Sequence, residues 1–315
     1  MLTSFFYYIN TPIDIKNDKL FKVNKNETVS KILDRLEVEG VIKNKLFFKI
    51  MVRITGGDKN ILYGYYLIPA QITPKKLWEK MLRGEIEQYK LTVPEGYNIY
   101  QIGHILENQK MGNKNKFLNL VKDKKFIKSL GLDLPSLEGY LYPTTYFFDP
   151  EQKEEDIIKA MVQKTFHILK NELKLNLPAK ELHSLLTLAS LIEKEAKIKE
   201  EMPLISSVFH NRLNRKMKLQ CDPTVQYGLK KFDYNLTKKD LMTKNPYNTY
   251  VNYGLPPTPI ASPSKDAIIS ALSPAKTNYL YFVAKNDGTH YFSEDLKKHN
   301  KAVFHYQIKG KKGEL

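Results

Sequence analysis

Apolar residues recur at three- and four-residue steps through residues 182–196: Leu182, Leu185, Leu186, Ala189, Ile192 and Ala196. This is the spacing of one helical face, and it predicts an α-helix there. At about 100° per residue around an ideal helix, the apolar arc also takes in Leu188 and, at one edge, Leu191. Glu195 then falls at about 220°, between Leu191 and Leu188, and Glu193 at about 20°, beside Leu182 and Leu186. Lys194 points away. A helix that buries this face therefore carries a carboxylate on each flank. An unpaired buried carboxylate costs several kcal/mol, so it neutralises or finds a partner. Two readings stand on pattern alone. Either both are solvated helix-edge glutamates near lysines, or one is a carboxyl desolvated by leucines, which holds its proton near neutral pH as a general acid must.

The rest of the chain reads in the same way. Residues 20–23 read as a short strand, and Thr28 caps a helix with Val29, Ile32, Leu33 and Leu36 on one face, ended by Gly40. Asn44 opens a second helix over residues 46–54, closed by Gly56-Gly57, and residues 62–69 read as a strand. Thr73-Pro74 starts a helix with Leu77, Trp78, Met81 and Leu82 as its apolar face, and a strand over 89–93 follows. The result is a compact βααβ unit with a further helix and strand.

Downstream, the pattern predicts a helix over 98–106, a solvated loop or irregular helix over the Lys/Asn-rich 109–125, and an amphipathic helix over 153–174. After the central helix come a helix over 203–213, a short strand over 217–219, and a turn or helix start at Asp222-Pro223-Thr224. The proline run over 254–260 must be extended and rigid. A helix over 265–272, a hairpin turning at Asp287-Gly288 and a final helix over 293–308 complete the chain, with no internal repeat. Residues 137–148 are dense in aromatics. Tyr140, Tyr142, Tyr146 and Phe147 either stack on sugar faces or fill a core.

A chain of 315 residues suits two domains. The 50 basic residues against 34 acidic ones give a net charge of +16. That excess implies polyanionic company, without choosing among nucleic acid, anionic lipid and an anionic wall polymer. Cys221 is the only cysteine, which excludes an intrachain disulfide and cysteine zinc sites. No stretch reaches the roughly 18 apolar residues of a membrane span. Residues 2–9 are nonetheless aromatic-rich, as where a span leaves the bilayer or in an ordinary apolar terminus. Zinc-protease, nucleophile-elbow, Walker and dinucleotide motifs are absent, and nothing orders Cys221 and His210 as a nucleophile pair.

The segments Leu191-Ile192-Glu193-Lys194-Glu195-Ala196, Val208-Phe209-His210-Asn211-Arg212-Leu213 and Leu219-Gln220-Cys221-Asp222-Pro223-Thr224-Val225-Gln226-Tyr227-Gly228 together resemble the endolytic murein transglycosylases of the YceG-like family. Tyr247-Asn248-Thr249-Tyr250, residues 254–263, 274–276 and 279–283, His299-Asn300-Lys301-Ala302-Val303 and, upstream, Glu138-Gly139-Tyr140-Leu141-Tyr142-Pro143 extend the resemblance over residues 90–305. It implies an α+β (mixed α/β) chain: a membrane-proximal remnant over 1–17, a LysM-like βααβ domain over 18–90, a catalytic domain over 91–310 and a tail over 311–315. The implied reaction cuts between N-acetylmuramic acid and N-acetylglucosamine within a glycan strand and leaves a 1,6-anhydro end. One carboxyl serves as acid and then base, where a hydrolase normally needs two.

By the same resemblance Glu195 is the catalytic residue. Glu138, Tyr142, Glu193, Asn211, Arg212, Gln220, Asp222, Thr224, Tyr227, Asn248 and Tyr250 are expected to bind substrate, with no metal and no cofactor. Asn211, Gln220, Asp222 and Asn248 are the ones expected to orient sugar hydroxyls and acetamido groups. Each alone serves equally well as a turn or cap. The implied partners are peptidoglycan strands and a peptidoglycan synthase complex, with no specific nucleic acid. The implied place is the periplasmic side of the inner membrane, through a single-pass anchor that this sequence lacks. Thr144 stands where many members carry an acidic residue, and Cys221 where a small or hydroxyl residue is commoner. The alternatives are a muramidase-type hydrolase using Glu195 with Glu138 or Asp222, and a non-catalytic wall-binding scaffold in which Glu195 is structural.

Overall fold

The computed structural model describes residues 2–56, 61–232 and 234–309, so Gly57 and the tail over 311–315 lie outside the described residues. The chain has an α+β fold of helices and small two-stranded antiparallel sheets, and it divides into two units. The first comprises Met1–Lys90 with Phe147–Gln152, and the second Leu91–Tyr146 with Lys153–Leu315.

The first unit opens with α1 (Leu2–Asn10), β1 (Ile13–Asp14) and β2 (Lys19–Val23). It continues with α2 (Val29–Val38), α3 (Lys45–Ile54), β3 (Gly64–Ile68), β4 (Gln71–Ile72) and α4 (Pro74–Leu82). Strands β2 and β3 pair antiparallel from Lys19↔Ile68 to Val23↔Gly64, which closes the βααβ unit that the pattern predicts. The hydroxyl of Thr28, the side-chain oxygen of Asn44 and the hydroxyl of Thr73 accept the first free N–H groups of α2, α3 and α4. Phe21, Leu36, Phe48, Tyr66 and Trp78 are fully buried between the ribbon and the helices, and the Trp78 indole N–H donates to Thr55 Oγ1 at 2.8 Å. The apolar start forms helix α1, whose Phe5 and Tyr8 rings lie against Phe47 at 6.0 and 5.5 Å.

Strand β5 (Tyr89–Thr92) leads into the second unit, which begins with α5 (Ile99–Asn108). The Lys/Asn-rich stretch is not a loop: it forms α6 (Lys114–Leu120) and α7 (Lys124–Ser129), capped by the side chains of Asn113 and Asp123. Then follow β6 (Thr145–Phe148), α8 (Glu154–His167), and the central α9 (Ala179–Glu195). After α9 come α10 (Met202–Asn214), α11 (Asp222–Leu229), α12 (Lys238–Leu241), α13 (Lys265–Leu272), the hairpin β7 (Tyr281–Ala284) and β8 (His290–Ser293), and α14 (Leu296–Val303).

Helix α9 buries more than the single predicted face, because every residue from Leu185 to Ile192 is buried. Met202, Ile205 and Phe209 of α10, Ala267, Ile268 and Ala271 of α13, and Tyr227 of α11 share its core. Two polar residues on the buried surface are satisfied locally or by the proline run: Thr187 Oγ1 donates to His183 O at 2.7 Å, and Ser190 Oγ donates to Thr187 O at 2.7 Å and accepts the Ile260 N–H at 3.0 Å. The predicted strand over 217–219 does not form. The carbonyls of Lys218 and Leu219 instead accept from the Arg212 guanidinium. Gly139 fixes the loop before β6 at φ +78°, and a Cβ there would stand 2.4 Å from Pro259 Cβ. Only glycine allows both that backbone angle and that approach.

Candidate active site

Glu195 is the last residue of α9, where the helix dipole places its negative end. Burial pushes its carboxyl up to about 7. The nearby Asp222 carboxylate pushes in the same direction, while the Cys221 thiol, which donates a hydrogen bond to it, and the Arg212 and Lys194 cations pull it down. Desolvation outweighs these, so the group is still largely protonated just below neutral pH. The flank position expected from the leucine arc is thus a desolvated carboxyl and not a solvated helix edge.

The segment facing Glu195 is built around α11. Cys221 is its buried N-cap, with its N–H donating to Thr249 Oγ1 at 3.0 Å. Thr224 Oγ1 donates to Cys221 O at 2.6 Å and shares a hydrogen bond of 2.9 Å with Thr249 Oγ1. Thr224 is therefore part of the frame that holds Cys221. Asp222 is exposed and accepts the Tyr250 hydroxyl at 2.5 Å. Gln220 is exposed at φ 51°, a left-handed conformation rare for a residue with a side chain, and its Oε1 accepts from Arg212 at 3.2 Å. Arg212 itself is buried, donates to the carbonyls of Leu280, Lys218 and Leu219 at 2.6, 3.2 and 2.8 Å, and lies over the Tyr281 ring. One guanidinium thus ties α10, the hairpin and the approach to α11 together beside Glu195.

The remaining candidates stand elsewhere or are otherwise engaged. The Asn211 amide donates to Thr277 O and Tyr279 O, each at 2.9 Å. The buried Asn248 amide donates to Leu241 O and Thr243 O at 3.0 and 2.8 Å. Both amides serve backbone carbonyls. Glu193, on the opposite flank of α9, accepts the Ser264 N–H at 2.9 Å and so holds the start of α13. Burial pushes its carboxyl up and the Ser264 hydrogen bonds pull it down. Tyr142 is half-buried and lies in the field of Glu172, Glu95 and Asp266, on the Glu193 side. Glu138 is fully buried and accepts from the Ile99 N–H at 3.1 Å and the Tyr227 hydroxyl at 2.9 Å. Burial pushes it, too, up to about 7, against those two donors, the Gly139 N–H and Lys122. Tyr140 and Tyr146 are core aromatics, and the exposed Phe147 belongs to the first unit.

Cys221, marked in the sequence only as a departure from a commoner small or hydroxyl residue, is the side chain that donates to Glu195. The available signal was its place immediately before an Asp-Pro helix start. Replacing Cys221 by Ala removes a donor that favours the carboxylate, so the alkaline limb of the pH–rate profile should move to higher pH. Cys221→Ser keeps a donor and should hold the limb near its original position.

Known proteins are similar to this chain. The YceG-like family profile matches residues 21–305. A Bacillus subtilis protein named endolytic murein transglycosylase is 37% identical over 312 residues, covering 93% of this chain and 86% of its own length. A Streptococcus pneumoniae protein of the same name is 30% identical over 331 residues. The chain spans 59% of that longer relative. The crystal structure of a yceG-like protein from Listeria monocytogenes, 36% identical, matches 91% of this chain and 99% of its own with a TM-score of 0.61. With the profile, the relatives and the solved structure all running through α9 and the segment that faces Glu195, the chain belongs to the YceG-like family.

Proposed function

We propose that this protein is an endolytic murein transglycosylase, the activity named for its Bacillus and Streptococcus relatives. Glu195, protonated, gives its proton to the glycosidic oxygen as the bond from C1 of N-acetylmuramic acid to the N-acetylglucosamine oxygen breaks. The resulting carboxylate takes the proton of the same muramic acid's C6 hydroxyl while that oxygen bonds to C1. The strand is cut, a 1,6-anhydro end forms, the glutamate recovers its proton, and no water is consumed. A single group can do both steps only if it changes protonation state easily near the working pH. The observation that carries the reading is the Glu195 carboxyl, held up at about 7 at the end of a buried helix.

In this reading Arg212 and Cys221 position the carboxyl, and Asp222, Gln220 and Tyr250 meet the sugar. Asn211, Asn248 and Thr224 hold the backbone that presents them. The enzyme works on strands outside the cytoplasmic membrane, on its periplasmic face where an outer membrane exists, beside a peptidoglycan synthase. No helix among the described residues is long and apolar enough to cross a membrane. The first unit assists retention on the wall.

A second reading rests on Asp222. It is close enough to push the Glu195 carboxyl up, and a second carboxylate beside an acid is what a muramidase-type hydrolase needs. Mass spectrometry of purified sacculi digested to completion separates the two. The transglycosylase gives internal cuts with anhydro-muramic ends, and the hydrolase gives reducing ends. Sacculi left intact by folded protein would instead support a scaffold.

A further inference from the structure

At the C-terminal end of α11, away from Glu195, lies a separate cleft of about 310 Å³. Tyr100, Tyr227 and Tyr247 wall it, with the Tyr227 ring tilted against the other two at ring distances of 6.2 and 4.9 Å. Lys122 and Lys230 stand at its mouth. Their ammonium groups lie 4.5 and 5.4 Å from the centre of the same Tyr100 ring, and Lys122 Nζ also donates to the Tyr100 hydroxyl at 3.0 Å. Among the described residues neither lysine has a carboxylate partner.

Two unpaired cations converging on one ring repel each other, and the ring's negative face only partly offsets that. An anion between them removes the repulsion. Glu138 offsets this only in part: it feels the Lys122 charge, but it is buried, makes no ion pair with either lysine, and takes the Tyr227 hydroxyl and the Ile99 N–H. One wall of the cleft is also held in place. A Cβ at Gly228 would stand 2.5 Å from Asn245 Oδ1, and the Asn245 amide donates to Gly228 O at 3.1 Å, which fixes the 245–247 wall against α11.

Resting on the transglycosylase reading, we infer that this cleft is a substrate subsite that takes a carboxylate of the peptide stem. The tyrosine faces receive the apolar body of the stem and the two lysines its charge. Asp222 and Gly228 are six residues apart on α11, about 9 Å along the axis, so a strand bound at Glu195 brings a neighbouring stem within reach. The subsite would let the enzyme favour stem-bearing strands over bare glycan.

The test is binding, measured by calorimetry on the full chain carrying Glu195→Gln, so that no turnover occurs. The probes are disaccharide-peptides from a muramidase digest, the same fragments with their stem carboxylates amidated, and glycan stripped of peptides, whose lactyl carboxylates are then free. Adding Lys122→Ala and Lys230→Ala together should weaken binding of the stem-bearing fragments about three- to tenfold, the range for two exposed charge contacts. The effect should shrink at high salt and vanish with the amidated fragments. A loss confined to stripped glycan would overturn the assignment to the stem, and equal affinities for all probes would overturn the subsite. Failure of the transglycosylase reading would show separately, as reducing ends or intact sacculi in the digest.

Discussion

Glu195→Gln lowers the rate of strand cleavage by at least about 10²- to 10⁴-fold, the typical contribution of general acid–base help. The amide is close in shape and still makes hydrogen bonds, but it can neither donate nor accept the reacting proton. The fold does not suffer, and above neutral pH it gains. The Glu195 carboxyl stands at about 7 in the folded chain against an ordinary 4.5. A raised carboxyl contributes its stability fully below the unfolded value and loses it as pH rises through the folded one. Glu195→Gln removes that dependence, so its stability relative to wild type should climb between about pH 4.5 and 7 and then level off, by up to about 3 kcal/mol. Parallel rate and melting measurements check both halves. Glu193→Gln should cut the rate far less, because its carboxyl holds the Ser264 N–H. A dead Glu193→Gln beside an active Glu195→Gln would assign the chemistry to the other flank.

Arg212→Lys has the next largest effect. The planar guanidinium serves the carbonyls of Leu280, Lys218 and Leu219 together with Gln220 Oε1, and it is buried. A lysine ammonium lacks the fork geometry to reach them all. Each buried acceptor left without a donor costs about 1–3 kcal/mol, so the expected loss is about 2–4 kcal/mol of stability. Activity of the remaining folded protein should also fall, because residues 218–220 lead into Cys221 and Asp222 opposite Glu195. Chemical denaturation and specific activity measured on the same sample check the prediction. Unchanged stability would contradict the role given to Arg212.

Much of this was legible in the chain because apolar spacing survives folding. The arc of α9 set Glu195 between Leu191 and Leu188, and burial raises its carboxyl, in line with the second of the two readings that position allows. The βααβ unit and the hairpin at Asp287-Gly288 were legible for the same reason, since turn residues and caps mark their ends. Other features depend on tertiary partners. Helices α6 and α7 are short and bury only Phe117 and Ile127, so their Asn113 and Asp123 caps were the better signal. The expected strand at 217–219 lost its carbonyls to Arg212, a residue on another element. Asn211 and Asn248 looked like sugar ligands because polar residues cluster there, but their amides satisfy distant backbone carbonyls that no spacing rule predicts. The Cys221 contact is of the same kind, made by two segments that meet only in the folded core.

The most direct test of the central claim is the titration of Glu195 itself. In protein labelled with carbon-13 at the glutamate side-chain carboxyls, two groups, the buried Glu138 and the half-buried Glu195, should titrate near pH 7. Glu195→Gln should remove one of those two signals and identify it. A midpoint near 7 for the lost signal is the predicted result. A midpoint near the free-glutamate value of about 4.3 would mean that Glu195 holds no proton to give at neutral pH, and the mechanism would fail.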